Sequence, residues 1–110
     1  MNYTAFELRN RLAVLREICT QAVDTYGRED QLLQTAEELA ELTQAISKAK
    51  RYTGQSYIDG VAEEIADVLI MITQLQVIFG ITDYMIESEV ERKAKRLRNL
   101  VAAEKRRKGV

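Results

Sequence analysis

From Ile65 to Ile72 the only polar side chain is Asp67. This stretch lies inside a segment, Ser56 to Gly80, whose apolar groups repeat at helical spacing and point in most directions. A helix that is apolar on nearly all sides has to be covered on nearly all sides, because each exposed aliphatic group forfeits its transfer free energy. The rest of a 110-residue chain hardly suffices for that. The sequence therefore predicts a partner subunit; the alternative is the central helix of a monomeric bundle. A membrane span is excluded, since Glu63, Glu64 and Asp67 fall in the segment and the uninterrupted apolar run is far below the roughly 20 residues a span requires.

The other segments are helical too. There is no Pro, there are five Gly, and Glu, Ala, Leu, Lys, Arg, Ile and Gln dominate. Thr4-Ala5-Phe6-Glu7 reads as a capping box that opens a first helix, with Leu8, Leu12, Leu15, Cys19, Ala22 and Tyr26 on one face and Gly27 as its stop. Arg28-Glu29-Asp30 begins a second helix that runs to about Tyr52. Thr53-Gly54-Gln55-Ser56 is a turn, with Ser56 as cap of the third helix and Asp59 at its third position. Thr82 or Asp83 caps a fourth helix, whose seam is Ile86, Val90, Ala94, Leu97 and Val101, with a frayed basic tail from about Ala103. The expected fold is all-α: a single four-helix domain over residues 1–110, a bundle completed by oligomerisation.

Two acidic patterns stand out on this frame. They are Glu37-Glu38-Leu39-Ala40-Glu41-Leu42 and Glu63-Glu64-Ile65-Ala66-Asp67-Val68. In each, a Glu is followed three residues on by a second carboxylate, close to one helical turn. Glu38 falls among Leu42, Ala45, Ile46 and Ala49, inside the apolar stripe, and Glu41 lies at its edge. Glu64 falls among Val61, Val68, Met71, Ile72 and Leu75. A carboxylate facing a core is expensive unless it is paired or binds a cation. Either pair alone is a weak signal, since a solvated helix face is the default. Two pairs on apolar faces, joined by a connection long enough to turn back, are a stronger one.

The chain contains no His. That removes a His base, His-bound zinc and the Glu-x-x-His motif of di-iron bundles. Oxygen ligands favour Mg²⁺, Mn²⁺ or Ca²⁺. Such a cation would relieve the like-charge penalty and polarise a phosphoryl oxygen, while Glu37, Glu41 or Glu63 could take a proton from water. The lone Cys19 reads as a core thiol; with no intrachain disulfide and no apolar signal region at the N-terminus, a reducing, cytoplasmic setting is expected. The net charge of −1 hides an asymmetry: residues 91–108 balance to +7 and residues 1–90 to −8. Lys48, Lys50 and Arg51 at the end of the second helix complement its dipole or contact phosphate.

Glu38-Leu-Ala-Glu41-Leu and Glu63-Glu64-Ile-Ala-Asp67-Val-Leu, separated by twenty-two residues from Glu41 to Glu64, resemble the paired motifs of the MazG-like, all-α nucleoside triphosphate pyrophosphohydrolases. The likeness covers Gln31 to Gly80 and continues weakly into Glu91-Arg92-Lys93-Ala94-Lys95-Arg96. The resemblance implies Mg²⁺-dependent cleavage of the α–β phosphoanhydride of a nucleoside triphosphate, giving a monophosphate and pyrophosphate. It implies metal ligation by Glu38, Glu41, Glu64 and Asp67, and a dimer or tetramer with sites near subunit interfaces. Lys93 and Arg96, with Lys50 and Arg51, become candidate phosphate contacts.

The competing expectation is a non-catalytic helical oligomer that binds a protein or nucleic acid through its basic last helix. That helix has no aromatics interleaved for base stacking, which weakens the nucleic-acid version.

Overall fold

The computed structural model describes residues 5–109, with side chains from Leu12 onward. It contains four helices: α1 (Ala5–Tyr26), α2 (Arg28–Arg51), α3 (Gln55–Phe79) and α4 (Asp83–Lys108). Thr4, the first residue of the expected capping box, lies outside the described residues.

One residue separates α1 from α2. Gly27 has φ +93°; its N–H reaches the Val23 carbonyl at 2.9 Å and its own carbonyl accepts from the Gln31 N–H at 3.1 Å. It thus closes one helix and opens the next in a conformation that a Cβ would disfavour. Glu29 and Asp30 occupy the positive first turn of α2, and Lys48, Lys50 and Arg51 its negative last turn.

The start of α3 differs from expectation. Ser56 is not its cap: the helix begins at Gln55, after Gly54, and no side chain caps it. Gly54, at φ +132°, lets the backbone turn early enough for its own carbonyl to accept from the Tyr57 N–H at 3.3 Å. Asp59 instead accepts from Gln55 Nε2 at 2.9 Å. At α4 the cap is Thr82, whose hydroxyl accepts from the Met85 N–H at 3.1 Å.

The chain divides into two compact units, Met1–Gly80 and Ile81–Val110. In the first, α3 packs on both α1 and α2, most extensively on α2. Among the described residues the buried apolar side chains are Cys19, Val68 and Met71, and they share the interior with Gln31, Thr35 and Gln74. Cys19 is the core thiol expected; its Sγ lies 3.6 Å from the Ile70 carbonyl oxygen, and burial raises its pKa. The apolar face of α1 is only partly covered: Leu15 and Ala22 are half-buried, whereas Leu12 and Tyr26 are exposed.

On α3, the residues Ile58, Ile65, Leu69, Ile72 and Phe79 are exposed. Their spacings of seven, four, three and seven place them on one stripe. Leu39 and Ile46 are exposed on α2 as well. Each half-exposed aliphatic side chain leaves on the order of 1 kcal/mol of burial unrealised.

The second unit holds a single helix, so α4 buries no side chain. Its expected seam is open at Val90, Leu97 and Val101. The frayed tail expected from about Ala103 is instead helix through Lys108. There Glu104 pairs with Arg107 and, at 3.8 Å, with Lys108, one turn away on the same face. Among the described residues no single helix is long and apolar enough to cross a membrane.

Candidate metal centre

The α2–α3 contact is what assembles the site. Glu38 and Glu41 project from α2, Glu64 and Asp67 from α3, and one carboxylate oxygen from each lies within 4.8 Å of the others. Glu38, Glu64 and Asp67 are half-buried and Glu41 is exposed. That is the order the helical stripes predict, with Glu38 and Glu64 turned inward and Glu41 at the edge.

The polar bookkeeping of the cluster is incomplete. Glu38 Oε1 accepts from Gln34 Nε2 at 2.9 Å. Glu38 Oε2 and Glu64 Oε2 are buried and have no hydrogen-bond partner. A buried acceptor left in that state costs about 1–3 kcal/mol, and more when it is charged. Glu41 records the crowding: its pKa is raised, first by the charge of Glu38, then by that of Glu64, with lost hydration and hydrogen bonding to the same two carboxylates adding to it. Four oxygen donors with two orphaned oxygens fit a hard divalent cation such as Mg²⁺ or Mn²⁺. The cluster holds neither His nor Cys, so nothing in it favours a softer metal.

Two clefts border the cluster, each through a different carboxylate pair. A cleft of about 450 Å³ shares Glu38 and Asp67 with it and is walled by Gln31, Gln34, Gln74 and Met71. A second, of about 530 Å³, shares Glu41 and Glu64 and is walled by Gln44, Lys48, Ser56 and Tyr57. Tyr57 stacks on Tyr52, with ring centroids 5.3 Å apart. Of the basic cluster that ends α2, Lys48 lies in this second cleft; Lys50 and Arg51 are exposed and line neither. Lys93 and Arg96 are exposed on α4, in the second unit.

Sequence reasoning passed over the glutamines. Gln31 and Gln74 are 8% and 6% exposed. A signal for them exists: Gln31 stands seven residues before Glu38, and Gln74 seven after Asp67. Seven residues is two helical turns, so each glutamine shares a face with its carboxylate.

Compared with known proteins, the chain matches no family model, and no curated protein or solved structure matches it significantly.

Proposed function

We propose that this chain is a Mg²⁺-dependent nucleoside triphosphate pyrophosphohydrolase of the MazG-like kind, converting a (d)NTP to a (d)NMP and pyrophosphate and serving nucleotide-pool clean-up. The observation that carries the proposal is the convergence of Glu38, Glu41, Glu64 and Asp67 with two buried carboxylate oxygens left unpaired. Mg²⁺, or Mn²⁺ in its place, would be held by these four side chains and would supply charge neutralisation and Lewis acidity toward a phosphoryl group. In the reaction, a water oxygen bonds to the α-phosphorus and the α–β P–O bond breaks. Pyrophosphate leaves, and the water's proton passes to a carboxylate. Glu37 and Glu63 are exposed and stand outside the four proposed ligands, which suits either of them to that proton.

The clefts support a division of labour. Lys48 lines the same cleft as Glu41 and Glu64, and its positive charge suits that cleft to a polyphosphate. Lys50, Arg51, Lys93 and Arg96 are further candidates for phosphate contact. The stripe Ile58, Ile65, Leu69, Ile72 and Phe79 supports a homodimer or tetramer, since it carries no charge and its spacing suits another helix. It lies on the helix that bears Glu64 and Asp67, which would set the sites beside the interface.

The test is direct. With Mg²⁺, the purified protein should release pyrophosphate from at least one triphosphate of a panel of standard and modified nucleotides. Silence across the panel would defeat the proposal.

A second reading has α4 bind nucleic acid or an acidic protein, with no catalysis. The exposure of all its Lys and Arg residues favours it. Retention on DNA or RNA that falls with salt and survives removal of the carboxylates would support it.

A further inference from the structure

We infer that the cleft bordered by Glu38 and Asp67 is a nucleobase site, in which Gln31 and Gln74 read the hydrogen-bonding edge of the base. The inference rests on the phosphohydrolase reading for what occupies the neighbouring carboxylate cluster. Its own support is separate. Gln74 lines this cleft, is 6% exposed, and has an Oε1 atom that is buried with no hydrogen-bond partner. An amide oxygen in that state is costly, and a ligand that donates a hydrogen bond to it would relieve the cost. Gln31, 8% exposed, brings a second amide to the same cleft.

The chemistry of the walls decides among ligands. Among the described residues this cleft is lined by no cation, so it does not suit phosphate. Its Ala22, Ile70 and Met71 offer apolar surface for the face of a ring, and its amides offer a donor and an acceptor for the ring's edge. A carboxamide matches a base edge that carries an N–H donor beside an acceptor. Gln34 ties the cleft to the metal centre, because the amide that lines it donates to Glu38. The cleft with Lys48 is then left for the phosphates, so that a nucleotide would lie across the cluster with its base at the glutamine end.

The experiment compares nucleoside triphosphates with ribose 5-triphosphate, which lacks a base, in wild type, Gln74→Leu and Gln31→Leu. Far-ultraviolet circular dichroism establishes that each variant is folded, and either variant suffices if the other is not. The ratio of kcat/KM for the preferred nucleotide to that for ribose 5-triphosphate is expected to fall about 10- to 100-fold, the range of a lost bidentate base contact. Preference among the bases is expected to shrink with it. Continued hydrolysis with that ratio unchanged would overturn the base site and leave the hydrolase standing. If no triphosphate is cleaved at all, the hydrolase reading fails, and the side-chain amide resonances of the glutamines decide the cleft. Shifts at Gln31 and Gln74 on adding a nucleoside monophosphate support the inference; unmoved resonances overturn it.

Discussion

Two helical pairs, both spaced three residues apart, have opposite electrostatics. On α4, Glu89 faces Arg92 at 2.5 Å, and the guanidinium lowers the carboxyl pKa through its hydrogen bond and its charge. On α2, Glu38 faces Glu41, and Glu41 is raised by its neighbour's charge and again by Glu64 from α3. The α4 pair is complete within one helix and open to water. The α2 pair is incomplete until α3 adds two more carboxylates, and then it is short of positive charge. Identical spacing thus makes a solvated surface contact in one place and, in the other, part of a carboxylate cluster that could hold a cation. What separates them is the sign of the partner and the second helix packed against it.

The comparison breaks most sharply at the cluster. Glu38→Gln or Asp67→Asn should reduce pyrophosphate release by about a thousandfold or more, since each removes a charge that the proposed metal needs. The same variants should melt no lower than wild type without metal, because like-charge repulsion is relieved, and should lose the rise in Tm that Mg²⁺ gives. Thermal melts with and without Mg²⁺ check both halves. A cluster that behaves like the α4 pair would show neither effect.

Next is the open stripe. Leu69 is 55% exposed on the first unit's own surface. If a second copy covers it, Leu69→Glu would bury an unpaired charge and should shift the sedimentation profile to monomer. Wild-type protein that already sediments as a monomer would refute that occupant.

The third consequence concerns pH. Glu41 binds its proton more tightly folded than unfolded. Its contribution to metal-free stability is therefore fully present below the ordinary carboxylate range and is lost as pH rises through the raised pKa. For Glu89, whose pKa is lowered, the sign reverses, and stability is lost as pH falls. Mg²⁺ should flatten the rise-linked loss, and its affinity should weaken as pH drops and protons compete for Glu41. Metal titrations across that range, in wild type and Glu41→Gln, test the assignment. An unchanged pH dependence in the variant would remove Glu41 from it.

The smallest effect belongs to α4. Arg92→Ala should leave Tm and pyrophosphate release within measurement error, because exposed ion pairs contribute little. A large loss of activity there would mean that this turn of α4 takes part in the site.

Much of the architecture was legible in the residues. Gly27 and Gly80 marked helix ends because each can adopt positive φ, and Thr82 marked a start because its hydroxyl can hold an orphan N–H. Ser56 misled, since a glycine two residues earlier let the backbone turn first. The tail after Ala103 misled as well, because Glu104 stabilises a turn that composition alone marks as a frayed end.

The sequence by itself determined which side chains share a helix face: 3.6 residues per turn is a local property, so Glu38 had to point inward and Glu41 to stand at the edge. It determined the oxygen-only character of any metal site, because there is no His in the chain. Only the tertiary structure decided that the face bearing Glu38 meets the face bearing Glu64 and Asp67 closely enough to share one cation. The same packing buried Gln31 and Gln74 and closed two clefts, one lined by Lys48 with Glu41 and Glu64, the other by the two glutamines with Glu38 and Asp67. The physical reason is that periodicity orients side chains about their own axis, whereas the distance between two axes and their register depend on how all the apolar groups pack together.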